Sequence, residues 1–315
     1  MKSNVCVDAG SIYCPCYLAE TKDCIVCSHL GGDDFCDCTW QGVCIYQNFM
    51  KNNEKINEIR KDILCNIKRK TEIEKNIYLL EIEIPKNLAL ELVHPGSYVL
   101  LRGERRKEEK FNSPISVMNI NLDENILSVV IEEIGPKTKD LLKNKKVYIK
   151  GPYGNGIFGL KYLKKIKDKK AILMTRGLSS VTLVNVTNQL LKNNNDVKIF
   201  IDKNGKKLLI VEEILKNKNI KLNYFDFSKE DFLIKNELKK ELDLVFSAGS
   251  NSFNKKVMNL VDEVDEKIPL AITNNNLICC GEGLCGACIV NIKGEKIKTC
   301  KTQVEPRIYL KEALK

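Results

Sequence analysis

Four cysteines near the C-terminus, Cys280, Cys285, Cys288 and Cys300, carry the sharpest chemical signal in the chain. The first three are spaced C-x4-C-x2-C and the fourth follows after eleven residues, the plant-type spacing for a [2Fe–2S] cluster. The chemistry accounts for the pattern. A loop must wrap an iron pair and turn backbone N–H groups toward sulfur. Gly281, Gly283 and Gly286 let it do so without side-chain clash. The last thiol must come from a separate segment, and INIKGEKIKTC supplies a hairpin-like return that turns at Gly294. Zinc is the competing reading, but zinc knuckles favour paired C-x2-C units and only Cys285 with Cys288 forms one here. Cys279, beside the motif, reads as a bystander.

A second group of eight thiols lies at the other end: Cys6, Cys14, Cys16, Cys24, Cys27, Cys36, Cys38 and Cys44. Eight thiols suffice for two four-coordinate zinc sites, one larger cluster, or a cluster plus zinc. The bacterial C-x2-C-x2-C-x3-C run is absent. The segment is acidic, with six carboxylates against two lysines in residues 1–50, which disfavours a nucleic-acid zinc finger. So short a stretch with little apolar core needs a staple, and metal is the usual one in a reducing compartment. Zinc and iron–sulfur both remain open for it. His29 reads as a surface residue and Cys65 as a small buried hydrophobe.

Fourteen cysteines in 315 residues, without the basic-then-apolar start of a secretory signal, favour metal or redox chemistry over a disulfide framework. No apolar run reaches membrane-spanning length, so a cytoplasmic protein without a membrane partner is expected. The formal charge of +10 invites a nucleic-acid reading. The lysines are scattered, however, and no arginine cluster interleaved with aromatics occurs, so no nucleic-acid partner is expected.

The elements that must position these thiols separate by period. Residues 1–50 form a Cys-rich metal-binding region and 51–62 a polar linker. From 63 to 160, β-rich runs such as IYLLEIEIP, GSYVLLRG, PISVMNI and ILSVVIEEI suggest a small β-barrel or sandwich. From 161 to 272, KKAILMT, DVKIFID, IKLNYFDF, DLVFSAGS and KIPLAIT read as strands alternating with helices, the pattern of a doubly wound parallel sheet. Residues 273–315 hold the C-terminal thiols. The expected fold is multidomain: a β-barrel, an α/β doubly wound nucleotide domain and a small [2Fe–2S] domain, preceded by a metal-stapled Cys-rich segment.

This order, with CGEGLCGAC…C and the stretch GPYGNGIF at 151–158, resembles the electron-transfer subunit of dihydroorotate dehydrogenase B. Relatives of that family include sulfide dehydrogenase and the small subunit of NADH-dependent ferredoxin:NADP oxidoreductase. The resemblance covers about residues 63–312 and implies an FAD-binding barrel, an NAD-binding domain and a C-terminal [2Fe–2S] domain serving a partner. The family's R-P-[IL]-[ST] flavin motif corresponds to Ser113-Pro114-Ile115-Ser116. Ser116 and the backbone of Ile115 are placed against the flavin, while Ser113 replaces the arginine that grips the pyrophosphate. Arg102, Arg105 and Arg106 are candidate replacements for that cation. The family's G-x-G-T corresponds to Gly135-Pro136-Lys137-Thr138, keeping Gly135 and Thr138 as cofactor contacts and adding a charge at Lys137. The same four residues alone read as an ordinary helix start. The glycine-rich nucleotide turn corresponds to Thr175-Arg176-Gly177-Leu178-Ser179-Ser180, where Gly177 is kept, Arg176 faces phosphate and Ser179 replaces a glycine. The C-G-P beside the nicotinamide corresponds to Ala248-Gly249-Ser250, which keeps Gly249 but not the thiol.

The sequence therefore points to an NAD(P)H-linked electron-transfer flavoprotein subunit. It would pass electrons between NAD(P)H, FAD and a [2Fe–2S] cluster, to or from a catalytic oxidoreductase subunit or a ferredoxin. No catalytic acid or base stands out. Two other classes stay open: a non-catalytic iron–sulfur relay or scaffold with degenerate FAD and NAD sites, and a zinc-bearing interaction module.

Overall fold

The computed structural model describes residues 5–57, 60–106 and 112–313. The chain begins with β1 (Val5–Cys6), the one-turn helix α1 (Tyr17–Glu20) and α2 (Ile45–Lys51), joined by turns. A small core of Ala19, Cys27, Leu30, Ile45 and Phe49 holds this segment together.

The β-rich region follows as β2 (Ile63–Glu74), β3 (Ile77–Glu83), α3 (Lys86–Leu92), β4 (Tyr98–Gly103), β5 (Ser113–Ser116), β6 (Asn119–Asn121), β7 (Ile126–Glu132), α4 (Pro136–Leu142) and β8 (Lys146–Tyr153). Its strands pair antiparallel in the order β5-β4-β8-β2-β3-β7-β6. β5 and β6 stand at opposite ends of that order, yet only Val117 and Met118 lie between them. Val117 N–H donates to the Ser97 carbonyl and Met118 N–H to the Ser128 carbonyl, one on each edge. This bent segment closes the sheet into a barrel. Inside are Leu80, Ile82, Val99, Leu101, Leu127 and Val147, delivered by strand alternation.

The second unit comprises β9 (Ile157–Phe158), α5 (Leu160–Lys165), β10 (Lys170–Thr175), α6 (Thr182–Lys192), β11 (Asp196–Asp202), α7 (Leu209–Lys216), β12 (Leu222–Phe225), α8 (Asp231–Leu238), β13 (Leu244–Ala248), α9 (Asn251–Asp265) and β14 (Leu270–Thr273). Strands order as β12-β11-β10-β13-β14, all parallel, with β9 antiparallel on the β14 edge. β10 and β13 are apolar runs because helices cover both faces: α5, α6 and α7 pack on one, α8 and α9 on the other. β9 lies inside the 63–160 stretch expected for the barrel but joins this sheet. Ile77, Leu79, Met118 and Val130 of the barrel share a core with α6 and α7, so the two units meet over apolar surface.

At the C-terminus, β15 (Ile289–Ile292) and β16 (Glu295–Lys298) form the hairpin, then β17 (Thr302–Gln303) and α10 (Pro306–Glu312) follow. β17 pairs with β1, and Tyr309 and Leu310 return α10 to the α/β core. Among the described residues no helix is long and apolar enough to cross a membrane.

The N-terminal segment is fastened to the C-terminal loop by buried charge. Asp8 accepts from Arg60 at 2.6 and 3.0 Å and from Lys301 at 2.7 Å. Glu282 accepts from Lys301 at 2.9 Å, the Tyr153 hydroxyl at 2.9 Å and Arg60 at 3.4 Å. The Arg60 guanidinium lies over the Tyr13 ring at 3.9 Å and the Tyr153 ring at 4.8 Å, and donates to the Pro152 carbonyl. The Lys301 side chain is wholly buried. Burial alone would push its ammonium down, but Asp8 and Glu282 hold it above its ordinary pKa. Burial works likewise against the Asp8 carboxylate, and Arg60 with Lys301 outweighs it, keeping Asp8 below the ordinary value. The polar stretch expected as a linker is thus part of a clamp, with Asn57 also donating to the Cys14 carbonyl.

Lys301→Met removes the ammonium and leaves two buried carboxylates sharing one guanidinium. Breaking a buried pair in this way costs about 3–5 kcal/mol, to be read from urea unfolding under anaerobic conditions. A loss below about 1 kcal/mol, the range of an exposed pair, would show that the network is not the fastening.

Candidate redox centre and cofactor crevice

The C-terminal thiols are shaped by backbone conformation first. Gly281, Gly283 and Gly286 have φ of +70°, +80° and +73°, left-handed values that side chains rarely adopt. Space is also short: a Cβ on Gly281 would lie 2.6 Å from the Tyr153 ring, and one on Gly283 2.8 Å from Leu18 of α1. The turns aim N–H groups at sulfur, with Glu282 and Cys285 donating to Cys280 Sγ at 3.4 and 3.5 Å. Cys288 and Cys300 are buried in a pocket of Tyr98, Leu100, Tyr153 and Ile278. Cys285 is exposed and Cys280 half-buried, so the set runs from core to surface. The Cys288 thiol is pulled down to about 6, first by the hydrogen bond from Cys300 and also by Thr299. Cys300 is pushed up correspondingly by Cys288 and by burial.

These residues fit a [2Fe–2S] cluster. Among the described residues, no three His, Cys, Asp or Glu side chains converge on a point that could hold one ion. A two-iron cluster does not require that, because each iron takes two of the four thiolates. The Tyr98 ring stacks on Tyr153 at 5.2 Å, and its buried hydroxyl has no partner among the described residues. It lies in the field of Cys300. A buried donor of this kind calls for an acceptor, and a cluster sulfur held by Cys300 would supply one. Cys279 is exposed and does not face the core.

One strand away, a crevice of about 270 Å³ opens between barrel and α/β sheet. Its barrel wall carries Pro114, Ile115, Ser116 and Thr138, and its α/β wall Leu178, Ser179 and Thr182 with Thr273, Asn274 and Asn275. The position follows from topology. β10 and β13 are the neighbours at which strand order reverses, and ligands of open α/β sheets bind beyond the carboxyl ends of strands there. Four of the sequence-selected positions, Ile115, Ser116, Thr138 and Ser179, meet in this space.

The others lie nearby. Ser113 is buried beneath the wall in register with Leu101. Gly135 begins α4, where the Thr138 hydroxyl accepts from its N–H at 3.2 Å and donates to its carbonyl at 3.1 Å, so the helix-start reading of these residues holds as well. Gly177 has φ +66° and lines a smaller recess with Lys206 and Lys207. Ser180 borders the same recess, and its buried hydroxyl has no partner among the described residues. Arg176 is half exposed, 3.5 Å from Asp202. Gly249 stands back from the crevice, its carbonyl accepting from Asn275 at 2.6 Å.

Of the three arginines considered as replacements for the cation missing at Ser113, Arg102 is buried in an ion pair with Asp62 at 2.5 and 2.7 Å, over the Tyr148 ring. Arg106 is 3.4 Å from Asp140, and Arg105 is exposed. Lys137, in contrast, reaches back to donate to the Asn112 carbonyl at 3.2 Å, beside Ser113.

The eight N-terminal thiols fall into two groups. Cys6, Cys14, Cys16 and Cys24 line one small cavity. Cys27 lies in the field of Cys24 first and then of Cys38 and Cys44, so Cys24 and Cys27 link the two groups, and Cys36 is 4.0 Å from Cys38. The His29 ring sits against Tyr46 and the Asp33 carbonyl. Sequence reasoning missed Asp8, Arg60, Tyr98, Tyr153, Glu282 and Lys301. Of these, Glu282, enclosed by the thiol motif, and Tyr153, inside GPYGNGIF, carried a local hint.

No protein-family model matches the chain. It is 27% identical over 241 residues to the electron transfer subunit of dihydroorotate dehydrogenase B (NAD(+)) from Fusobacterium nucleatum, covering 73% of this chain and 89% of that one. The corresponding subunit of Clostridium acetobutylicum is 26% identical over 232 residues, covering 73% and 88%. Among solved structures, NADH-dependent reduced ferredoxin-NADP oxidoreductase superposes with a TM-score of 0.61 at 21% identity, over 76% of this chain and 86% of that one. Phthalate dioxygenase reductase gives 0.53 at 12% identity, over 78% and 95%. Similarity that runs along most of the length of these relatives identifies the chain as a distant homologue of dihydroorotate dehydrogenase B electron transfer subunits, with a ferredoxin-reductase-like fold.

Proposed function

We propose that the chain is the electron-transfer flavoprotein subunit of a two-component oxidoreductase. FAD would bind in the crevice, NAD(P)H would approach from the α/β wall, and Cys280, Cys285, Cys288 and Cys300 would hold a [2Fe–2S] cluster. Bound there, FAD supplies the conversion between a two-electron hydride and single electrons. The partner would be a catalytic subunit of the dihydroorotate dehydrogenase type or a ferredoxin.

The observation that carries this reading is adjacency. Ser116 in the crevice is the direct cross-strand partner of Tyr98, and Tyr98 packs with Cys288 and Cys300. Asn274 on the opposite wall donates to the Thr299 carbonyl at 3.1 Å, next to Cys300. One layer of backbone separates the crevice from the thiols.

The chain's own groups divide the work of binding. Pro114, Ile115 and Val130 offer an apolar wall to a planar ring, and Ser116 a hydroxyl at its edge. Lys137, whose ammonium donates to the Asn112 carbonyl beside Ser113, would meet a phosphate passing there, taking the task that Arg102 cannot perform while paired with Asp62. Arg176, at the end of β10, faces the nucleotide side with Gly177 giving close backbone approach.

Lys137→Ala is expected to weaken FAD binding to apoprotein about tenfold, or about 1.4 kcal/mol, by flavin fluorescence titration, with iron content unchanged. An unaltered Kd would place the pyrophosphate elsewhere.

The reading as a whole is tested by anaerobic purification with reconstitution and NADH or NADPH addition. Flavin and iron–sulfur absorption should both bleach, and Cys285→Ser should keep flavin reduction while losing the [2Fe–2S] spectrum. Iron without FAD after reconstitution would overturn the flavoprotein reading in favour of a relay. Absence of both would leave the zinc module.

A further inference from the structure

The eight N-terminal cysteines are not equivalent. Cys6 comes from β1, Cys14 and Cys16 from the loop before α1, and Cys24 from the turn after it, and the four surround one cavity. The rest of its wall is mainly apolar, including Leu18, Val26 and Ile45. Cys24 Sγ accepts the Cys27 N–H at 3.4 Å, and the backbones of Asp8, Gly10 and Leu18 lie beside Cys6, Cys14 and Cys16 respectively. The cavity backs onto the clamp, with Cys16 in the field of Lys301 and Asp8. Of the remaining thiols, Cys27 is buried in the small core of this segment, while Cys36 and Cys44 are exposed.

We propose that Cys6, Cys14, Cys16 and Cys24 bind a second iron–sulfur centre, of the [4Fe–4S] class, within the N-terminal segment. A zinc ion needs four sulfurs about 2.3 Å from a single point. Here the sulfurs ring a space, and among the described residues no three metal-ligating side chains meet at a point. A cuboid cluster takes one thiolate per iron and is therefore held by sulfurs spread around a cage. An apolar enclosure and backbone amides close to the sulfurs are features by which a protein sets such a centre's potential.

The placement connects it to the C-terminal thiols. Cys6 pairs with Thr302, two residues beyond Cys300, so the Cα atoms of Cys6 and Cys300 are within about 12 Å. One electron can pass between the two thiol sets, one centre being oxidised as the other is reduced, with no bond or proton transferred.

The test uses the full chain, reconstituted anaerobically with iron and sulfide. Cys14→Ser and Cys16→Ser should each lose about four irons and four sulfides per chain relative to wild type. Both should retain the two-iron signal and FAD content, which report folding. Cys38→Ser, from the other group, should retain all of those irons. In dithionite-reduced wild type the two centres should broaden one another's electron paramagnetic resonance, and Cys14→Ser should sharpen the remaining signal. Zinc bound by these four thiols, unchanged iron in both variants, or equal iron loss in Cys38→Ser would overturn the assignment. The proposal does not need bound FAD, and Cys285→Ser reports separately on the C-terminal centre.

Discussion

A wholly buried ammonium sets the terms for much of this molecule. Lys301 has no water to solvate it, so the fold must bring it carboxylates, and it brings two, Asp8 and Glu282. Those carboxylates in turn need Arg60, held flat between two tyrosine rings. The four charges cancel, which is the condition under which ions persist in a low-dielectric interior. They come from positions 8, 60, 282 and 301, so the balance is reached only when N-terminal segment, linker and C-terminal loop are docked together. Separate domains in the sequence are one packed unit at this point.

That docking decides what surrounds the C-terminal thiols. Glu282 sits between Cys280 and Cys285, and Lys301 follows Cys300, so the loop is gripped at both ends of its ligand set. Leu18 of α1 fills the space that Gly283 leaves open. The neutrality of the clamp has an electrical consequence. Cations beside a cluster would favour its reduced form, but Asp8 and Glu282 offset Lys301 and Arg60. Hydrogen bonds to sulfur and exclusion of water then become the main local means of tuning.

How much of this was legible follows from the kind of signal involved. The thiol spacing and its glycines are local geometry and could be read directly. So could the two periods: alternating residues such as IYLLEIE for the barrel and unbroken runs such as AILMT for a sheet covered on both faces. Barrel closure by Val117 and Met118 was not legible, because two residues carry no topology. Nor was β9, a two-residue strand whose sheet is decided by what β14 leaves unpaired. Lys301 looks like any other lysine in a lysine-rich chain, and Arg60 sits in a polar stretch with the composition of a linker. Their burial depends on partners hundreds of residues away. Arg102 shows the converse case: an arginine at a plausible distance from a phosphate site was already paired with Asp62.

The cofactor motifs and the cofactor crevice answer to different constraints. A crevice at the reversal of strand order is produced by topology, so it persists although Ser113 and Ser179 depart from the pattern of the relatives. What such departures alter is affinity and approach. Ser179 places a hydroxyl on a wall where glycine would leave room, and Ser113 withdraws a charge that Lys137 can restore from the neighbouring turn. The relation between crevice and thiols is more constrained still. It is set by the pairing of Ser116 with Tyr98 and by Asn274 on Thr299, contacts made by the sheet itself and by one buried amide. A chain with weakened nucleotide grips would therefore keep the proposed electron path, because the contacts between crevice and thiols are built into strand register, whereas the grips depend on side chains that can be exchanged one at a time.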